Sequence, residues 1–154
     1  MSIIDDLIFD RTSDNLKKGD PKGKYDYIDF NRVNEAVNLV SSKIGAGINA
    51  KTDWTNTDIP RESDATEYRK NIQKIVDTLE LNNKVPQTNN SILTILGANQ
   101  IEKALYDAYN IAEKIIVWDE VDALNETWEQ LSNKNIQWKK YFLREENING
   151  YYSF

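Results

Sequence analysis

The chain has 154 residues and contains neither cysteine nor histidine. These absences exclude disulfide frameworks, zinc sites built on Cys and His, thiol nucleophiles, and any catalytic triad or general base that uses imidazole. The 19 basic and 25 acidic residues give a net charge of −6. We therefore expect no nucleic-acid partner, because binding to a phosphate backbone normally needs a concentrated basic face.

The N-terminal segment, residues 1–28, is predicted to be an apolar anchor followed by a loop. It begins without a basic region, and no run in the chain approaches the roughly 18 apolar residues of a membrane span, so we expect neither a secretion signal nor a membrane helix. Leu7, Ile8 and Phe9 form the anchor. Gly19, Pro21 and Gly23 then predict a loop, because neither a helix nor a strand continues through them.

The helical period begins near Asp29, which is a good N-cap because its carboxylate can accept hydrogen bonds from the first free amides. Gly45 and Gly47 supply the stop. The apolar residues between these points share one helical stripe: Phe30, Val33, Ala36, Val37, Val40 and Ile44. The polar residues opposite them include Asn31, Arg32, Asn34, Asn38 and Ser41.

Two further amphipathic helices are predicted, one from about Glu62 to Leu81 and one from about Gly97 to Ile116, with Thr94 as a plausible cap upstream. The connector before the second helix is irregular and carries Trp54, which is expected to plug the shared core. Pro86 and the polar run 87–91 form the next connector. Because each helix needs the others to bury its stripe, the predicted fold is all-α, an antiparallel three-helix bundle over residues 29–117.

The C-terminal tail, residues 118–154, contains a repeat in which tryptophans stand ten residues apart. An apolar residue follows each tryptophan by three positions, and we interpret each unit as a short helix and a bend. The chain then closes on an aromatic, uncharged segment. The tail residues could form a core of the repeat, a subunit interface or stacking platforms for sugars. The predicted interface set is Trp118, Val121, Trp128, Leu131, Trp138, Tyr141, Tyr151, Tyr152 and Phe154.

An ordered set of short motifs resembles small proteins and terminal domains encoded in the structural-gene clusters of phages and prophages of Firmicutes. It covers about two thirds of the chain, roughly residues 7–116. In this pattern Thr usually follows Ile-Pro, whereas this chain has Arg61. The resemblance implies a tail or baseplate component of a virion and supplies no catalytic or binding residues. The motifs are Asp10-Arg11-Thr12, Asp29-Phe30-Asn31-Arg32-Val33, Glu35-Ala36, Lys51-Thr52-Asp53-Trp54-Thr55, Asp58-Ile59-Pro60, Tyr68, Asn71-Ile72 and Ala98-Asn99-Gln100-Ile101-Glu102-Lys103.

Carboxylates are the remaining candidates for catalysis, and we interpret them as solvated surface groups. The adjacent pairs at 5–6, 119–120 and 145–146 diverge on a helix, and nothing in the sequence brings a distant partner to the separation that a glycosidase needs. Residues 10–14 lack the pattern of a calcium loop, and residues 19–24 lack that of a phosphate loop. Arg32 is expected to pair with Asp53 or Glu35 at the surface, a contribution of about 0–1 kcal/mol. We predict no metal and no cofactor.

The sequence thus predicts a non-enzymatic virion protein, made in the bacterial cytoplasm and acting through contacts with other virion proteins, in a homo-oligomer or a ring. An alternative hypothesis is a host-recognition module of a phage tail, whose exposed tryptophans bind cell-wall glycan. A third is an acidic regulatory partner protein in the host cytoplasm.

Overall fold

A computed structural model describes residues 2–92 and 94–114 of the chain. The chain divides into two compact units, residues 1–110 and residues 111–154. Of the second unit, the structure describes residues 111–114. The described residues are helical and include no strand, in agreement with the predicted all-α class. The helices are α1 (Ser13–Lys17), α2 (Tyr27–Ile44), α3 (Glu62–Thr78), α4 (Asn89–Ile92) and α5 (Ile95–Ala112), with 3₁₀ turns at Ile3–Asp6 and Pro21–Gly23.

Helix α2 begins three residues earlier than its sequence predicts, at Tyr27, and Asp29 is not its N-cap. Asp26 is the cap, with its carboxylate accepting from the Ile28 amide at 2.9 Å. Asp29 lies in the first turn and accepts from the Asp26 amide at 2.9 Å, which completes a capping box. The predicted stop is confirmed, because Gly45 adopts the left-handed conformation, with φ of 65°, that commonly ends a helix. Glycine adopts it without the steric cost that a Cβ would impose.

Helix α3 begins at Glu62 as predicted but ends at Thr78, three residues before the predicted Leu81. The stop is Glu80, a residue with a left-handed φ of 52°. The Leu81 amide donates to the carbonyl of Val76 at 2.9 Å, and the Glu80 amide donates to that of Asp77 at 3.1 Å, which is the hydrogen-bond pattern of a Schellman motif. Sequence patterns miss this stop because glycine or asparagine usually occupies the left-handed position.

The polar run 87–91, predicted as connector, includes the start of helix α4. Helix α5 follows it, and the predicted Thr94 cap is confirmed, since its hydroxyl oxygen accepts from the Gly97 amide at 3.0 Å. Gly97 permits the tight junction of the two helices: a Cβ at this position would lie 1.8 Å from the carbonyl oxygen of Ser91.

The core contains most of the predicted apolar stripes. Helix α2 packs against α3, α3 packs against α4, and the Ile3–Asp6 turn packs against α2. Phe30 and Ala65 are only half-buried. The buried stripe residues of the three long helices include Val33, Ala36, Val37, Val40, Ile44, Tyr68, Ile72, Ile75, Val76, Ile101, Ala104, Leu105 and Ala108.

The polar face of α2 is not simply solvated, because it holds the irregular segment 48–54 alongside the helix. The Asn38 side chain donates to the Ala50 carbonyl at 2.9 Å and accepts from the Ala50 amide at 2.7 Å. Asn31 makes the same pair of bonds with the backbone of Trp54, both at 2.8 Å. Ser41 accepts from the Ile48 amide at 2.8 Å. These contacts fix the segment antiparallel to α2 and replace the backbone partner that a strand would have supplied.

Replacing Asn38 with alanine removes both partners of the buried Ala50 backbone. Leaving buried donors and acceptors unpaired costs energy, so we expect Asn38→Ala to lower the free energy of unfolding by about 1–3 kcal/mol. Urea denaturation measures the loss. The control is Asn56→Ala, a change at an exposed asparagine, which should stay within about 0.5 kcal/mol of the parent. Equal effects of the two variants would contradict the role assigned to Asn38.

Candidate functional site

The described residues include a largely buried cluster of two arginines and two carboxylates, which we call the ion cluster. It joins the N-terminal segment through Arg11, helix α2 through Asp29 and Arg32, and helix α5 through Glu102. Arg11 Nη2 lies 2.6 Å from Glu102 Oε1 and 2.9 Å from Asp29 Oδ1. Arg32 Nη2 contacts the same two oxygens, at 3.0 Å in the case of Glu102. The Glu102 side chain is 0% exposed and that of Arg11 1%.

Every carboxylate oxygen of the ion cluster accepts at least one hydrogen bond. Glu102 Oε2 accepts from the Ile8 amide at 2.6 Å and from Arg32 Nε at 3.2 Å. Asp29 Oδ2 accepts from the Asp26 amide. Asn99 adds a further tie, exchanging two bonds of 3.0 Å with the backbone of Arg11. Two positive and two negative charges compensate one another, so the cluster is arranged to hold chain segments together and leaves no carboxylate oxygen without a donor.

The surroundings of Arg32 within the ion cluster favour its charged form. Burial disfavours the guanidinium, but the hydrogen bond and negative charge of Glu102, together with those of Asp29, outweigh it and raise the pKa of Arg32. Arg11 lies with its guanidinium carbon 5.3 Å from the ring centre of Tyr25, a distance typical of cation–π contact.

Next to the ion cluster lies a group of aromatic rings around Phe30. Its ring centre is 5.1 Å from that of Tyr68, 5.5 Å from that of Tyr25 and 6.0 Å from that of Trp54. The hydroxyl groups of Tyr25 and Tyr68 share a hydrogen bond. Burial, followed by the negative charge of Glu102, raises the pKa of Tyr25. Burial and the neighbouring Tyr25 raise the pKa of Tyr68.

An open cleft of about 940 Å³ borders these rings. The first turn of α2, the loop before α3, the start of α3 and helix α4 surround it. One wall is aromatic, and polar residues occupy the rest of the rim with Pro60, Ala65 and Ile92 between them. The aromatic wall consists of Tyr25, Tyr27, Phe30 and Trp54. A volume of this size and a mixture of rings with a few polar groups are typical of ligand sites.

The structure corrects two expectations about single residues. Arg32 does not pair with Asp53 or Glu35; it pairs with Asp29 and Glu102 inside the protein, and Arg11 ties the N-terminal segment to the helices. Trp54 does not plug the core: it is half-buried at the edge of the cleft.

The other residues considered as candidates from the sequence do not belong to the ion cluster. Asp5 and Asp6 are exposed, as a solvated pair should be. The tail residues Trp118, Val121, Trp128, Leu131, Trp138, Tyr141, Tyr151, Tyr152 and Phe154 lie outside the described residues, so their role as an interface stays a prediction.

Glu102 is central to the ion cluster, and its role is not predicted from the sequence. It follows Ile101 and precedes Leu105 by three positions, so it sits at the edge of the apolar stripe of α5, where a carboxylate without a partner would be costly. That placement is a signal of a buried counter-ion. The sequence could not name the arginine, because Arg11 lies 91 positions away.

Comparison of the chain with protein-family models, with curated proteins and with solved structures finds no match. None of the helices among the described residues is both long and apolar enough to cross a membrane. The same residues contain no group of three or more carboxylates placed to hold a metal ion.

Breaking the ion cluster should be far more costly than changing a surface charge. Glu102→Gln leaves the guanidinium groups of the buried Arg11 and the half-buried Arg32 with one carboxylate, so we expect a loss of about 3–5 kcal/mol in the free energy of unfolding. Glu35→Gln, at an exposed position of α2, is the matched control and should change stability by less than about 0.5 kcal/mol. Urea denaturation measures both changes. If the two variants lost the same small free energy of unfolding, the role assigned to Glu102 would be contradicted.

The tyrosine pair predicts a loss of stability in alkali. The unfolded chain releases phenol protons above the ordinary pKa of 10.0, whereas the raised pKa values keep Tyr25 and Tyr68 protonated in the fold. The stabilisation is therefore complete below pH 10 and declines above it, by about 1.4 kcal/mol per pH unit for each phenol. In urea titrations across this range, Tyr25→Phe with Tyr68→Phe should flatten the decline, while Tyr27→Phe should leave it steep. An unchanged slope in the double variant would refute the assignment.

Proposed function

We propose that this chain is a non-enzymatic structural protein of a bacteriophage virion, in the tail or the baseplate, and that it acts through protein–protein contacts. It would be made in the bacterial cytoplasm and carried in the particle, in contact with other virion proteins and with copies of itself. Its long helices would form an antiparallel three-helix bundle, and the tail from residue 118 would supply the interface.

One observation carries this proposal: the motifs that resemble virion proteins coincide with the residues that hold the fold together. Arg11, Asp29, Arg32 and Glu102 belong to those motifs and form the ion cluster. Asn31 and Asn99 belong to them as well, and each bonds the backbone of a distant segment. Motifs of an enzyme would be expected to include an accessible reactive group, whereas these side chains bond one another or the backbone.

A rigid, cross-tied domain suits a component that must keep its shape within an assembly. Its described surface also exposes large apolar side chains, among them Ile59 at 87% and Ile28 at 55%. Single exposed apolar residues are ordinary on a protein surface. They are nevertheless the kind of side chain that an assembly interface covers, and the tail sequence from residue 118 is rich in aromatic residues.

Removing the tail tests the proposal. We expect a chain lacking residues 118–154 to stay folded by circular dichroism but to be missing from purified particles when it replaces the intact protein. Trp118→Ala, Trp128→Ala and Trp138→Ala together should have the same effect, because aromatic side chains dominate interface energies. Quantitative mass spectrometry of the particles measures incorporation and copy number.

The matched control changes polar positions of the same tail, Gln130→Ala with Gln137→Ala, and should incorporate normally. Two results would contradict the proposal. The intact protein could be absent from purified particles, or the truncated chain could incorporate as well as the intact one.

A further inference from the structure

A basic lobe, which we define as residues 13–24, precedes helix α2. It contains four lysines within eight residues, the densest run of basic residues in the chain. One of them, Lys22, pairs with Asp10 at 2.7 Å. The other three are exposed and form no ion pair with the described residues: Lys17, Lys18 and Lys24. Three unpaired positive charges on one small element favour an acidic partner.

The basic lobe also presents an apolar side chain among these charges. Leu16 in α1 comes directly before two of the lysines and is 56% exposed. The Pro21–Gly23 turn packs against α1, so closely that a Cβ on Gly23 would lie 2.5 Å from the backbone nitrogen of Leu16. Asp20 fastens the turn, because its carboxylate accepts from Asn15 Nδ2 at 3.0 Å. The leucine and the lysines beside it therefore have a firm support.

The cleft carries the opposite charge. Three carboxylates line it, with Arg61 as the single basic residue of the lining. The Thr55 amide donates to Asp58 at 2.7 Å, which lowers the pKa of that carboxyl and keeps it ionised. All three acidic residues are exposed: Asp26, Asp58 and Glu62. A lysine at the mouth of the cleft would gain negative partners, whereas a phosphate or another anion would be repelled.

The aromatic wall of the cleft already holds one lysine. Lys51 Nζ lies 4.1 Å from the centre of the Trp54 ring and 3.9 Å from a carboxylate oxygen of Asp58. Rings and carboxylates both attract an ammonium group. Tyr27 of the same wall is 37% exposed, and Ile59, which lies between two residues of the lining, is 87% exposed. The cleft therefore offers apolar surface as well as negative charge to an incoming chain.

We propose that the basic lobe of one copy docks into the cleft of a second copy of this chain. Leu16 covers apolar surface of the cleft, and the three unpaired lysines pair with the carboxylates of the rim. Within one chain these lysines form no ion pair with the rim, so both surfaces are left for another copy. The inference rests on the proposed contact between copies and adds to it a surface other than the tail, because the lobe and the cleft both belong to residues 1–110.

Charge reversal on either surface tests the docking in the full chain. The lobe variant carries Lys17→Glu with Lys18→Glu, and the cleft variant carries Asn56→Lys with Glu62→Lys. None of the four side chains has a described hydrogen bond to lose. In sedimentation equilibrium, we expect each variant to self-associate at least about tenfold more weakly than the parent. Leu16→Ala, which keeps every charge, should also weaken association about tenfold, and high salt should weaken that of the parent.

Recombining the reversed charges makes the test specific. The chain with all four substitutions has an acidic lobe and a basic rim, so its association should return to within about threefold of the parent. An equimolar mixture of the lobe variant and the cleft variant should form heterodimers, because the unchanged lobe of one meets the unchanged cleft of the other. The matched control is Lys70→Glu with Lys74→Glu, an equal change of net charge at exposed positions of α3 that do not line the cleft. It should associate as the parent does.

Four results would overturn the proposal. The parent could stay monomeric up to millimolar concentration, or the control could associate as weakly as the lobe variant. The chain with four substitutions could stay as weak as the lobe variant, or the mixture could form no heterodimer. Circular dichroism checks that each variant is folded. These measurements concern the free protein and not particle composition, so failure here is distinguishable from failure of the virion assignment.

Discussion

The fold depends on the carboxylate of Glu102, which lies in the interior and needs positive partners from elsewhere in the chain. Removing a charge from water costs several kcal/mol, and only close, well-bonded partners offset that cost. Here the partners are Arg11, 91 positions earlier, and Arg32, 70 positions earlier. An ion cluster of this kind adds little net stability over an apolar core, but it penalises every arrangement in which one member is missing. It therefore selects which segments meet.

The second constraint concerns backbone groups in segments that belong to no helix. Such groups must still be paired when they are partly buried, and the described residues include no strand that could pair them. Three asparagine side chains supply these partners, because the side-chain amide has a donor and an acceptor as a peptide group does. Asn31 and Asn38 on α2 hold the segment 48–54, and Asn99 on α5 holds Arg11.

The parts of this fold that could be predicted follow from local rules. The apolar period located α2, α3 and α5, and the left-handed glycine at Gly45 located the end of α2. The ion cluster and the asparagine contacts could not be predicted, because each joins residues that only the tertiary fold brings together. The predicted end of α3 was wrong for another reason: Glu80 adopts a left-handed conformation that its residue type does not favour. The cleft could not be predicted either, because only the tertiary fold brings together the parts of α2, α3 and α4 that surround it.

The ion cluster and the cleft are physically connected through α2 and Tyr25. The first turn of α2 carries Asp29 into the cluster and presents Tyr27 and Phe30 to the cleft, so fixing one fixes the other. Tyr25 contacts the Arg11 guanidinium, bonds Tyr68 and lines the cleft. A binding wall performs best when its side chains are locked by the packing behind them. The interior charges thus give the aromatic wall beside the cleft a fixed geometry.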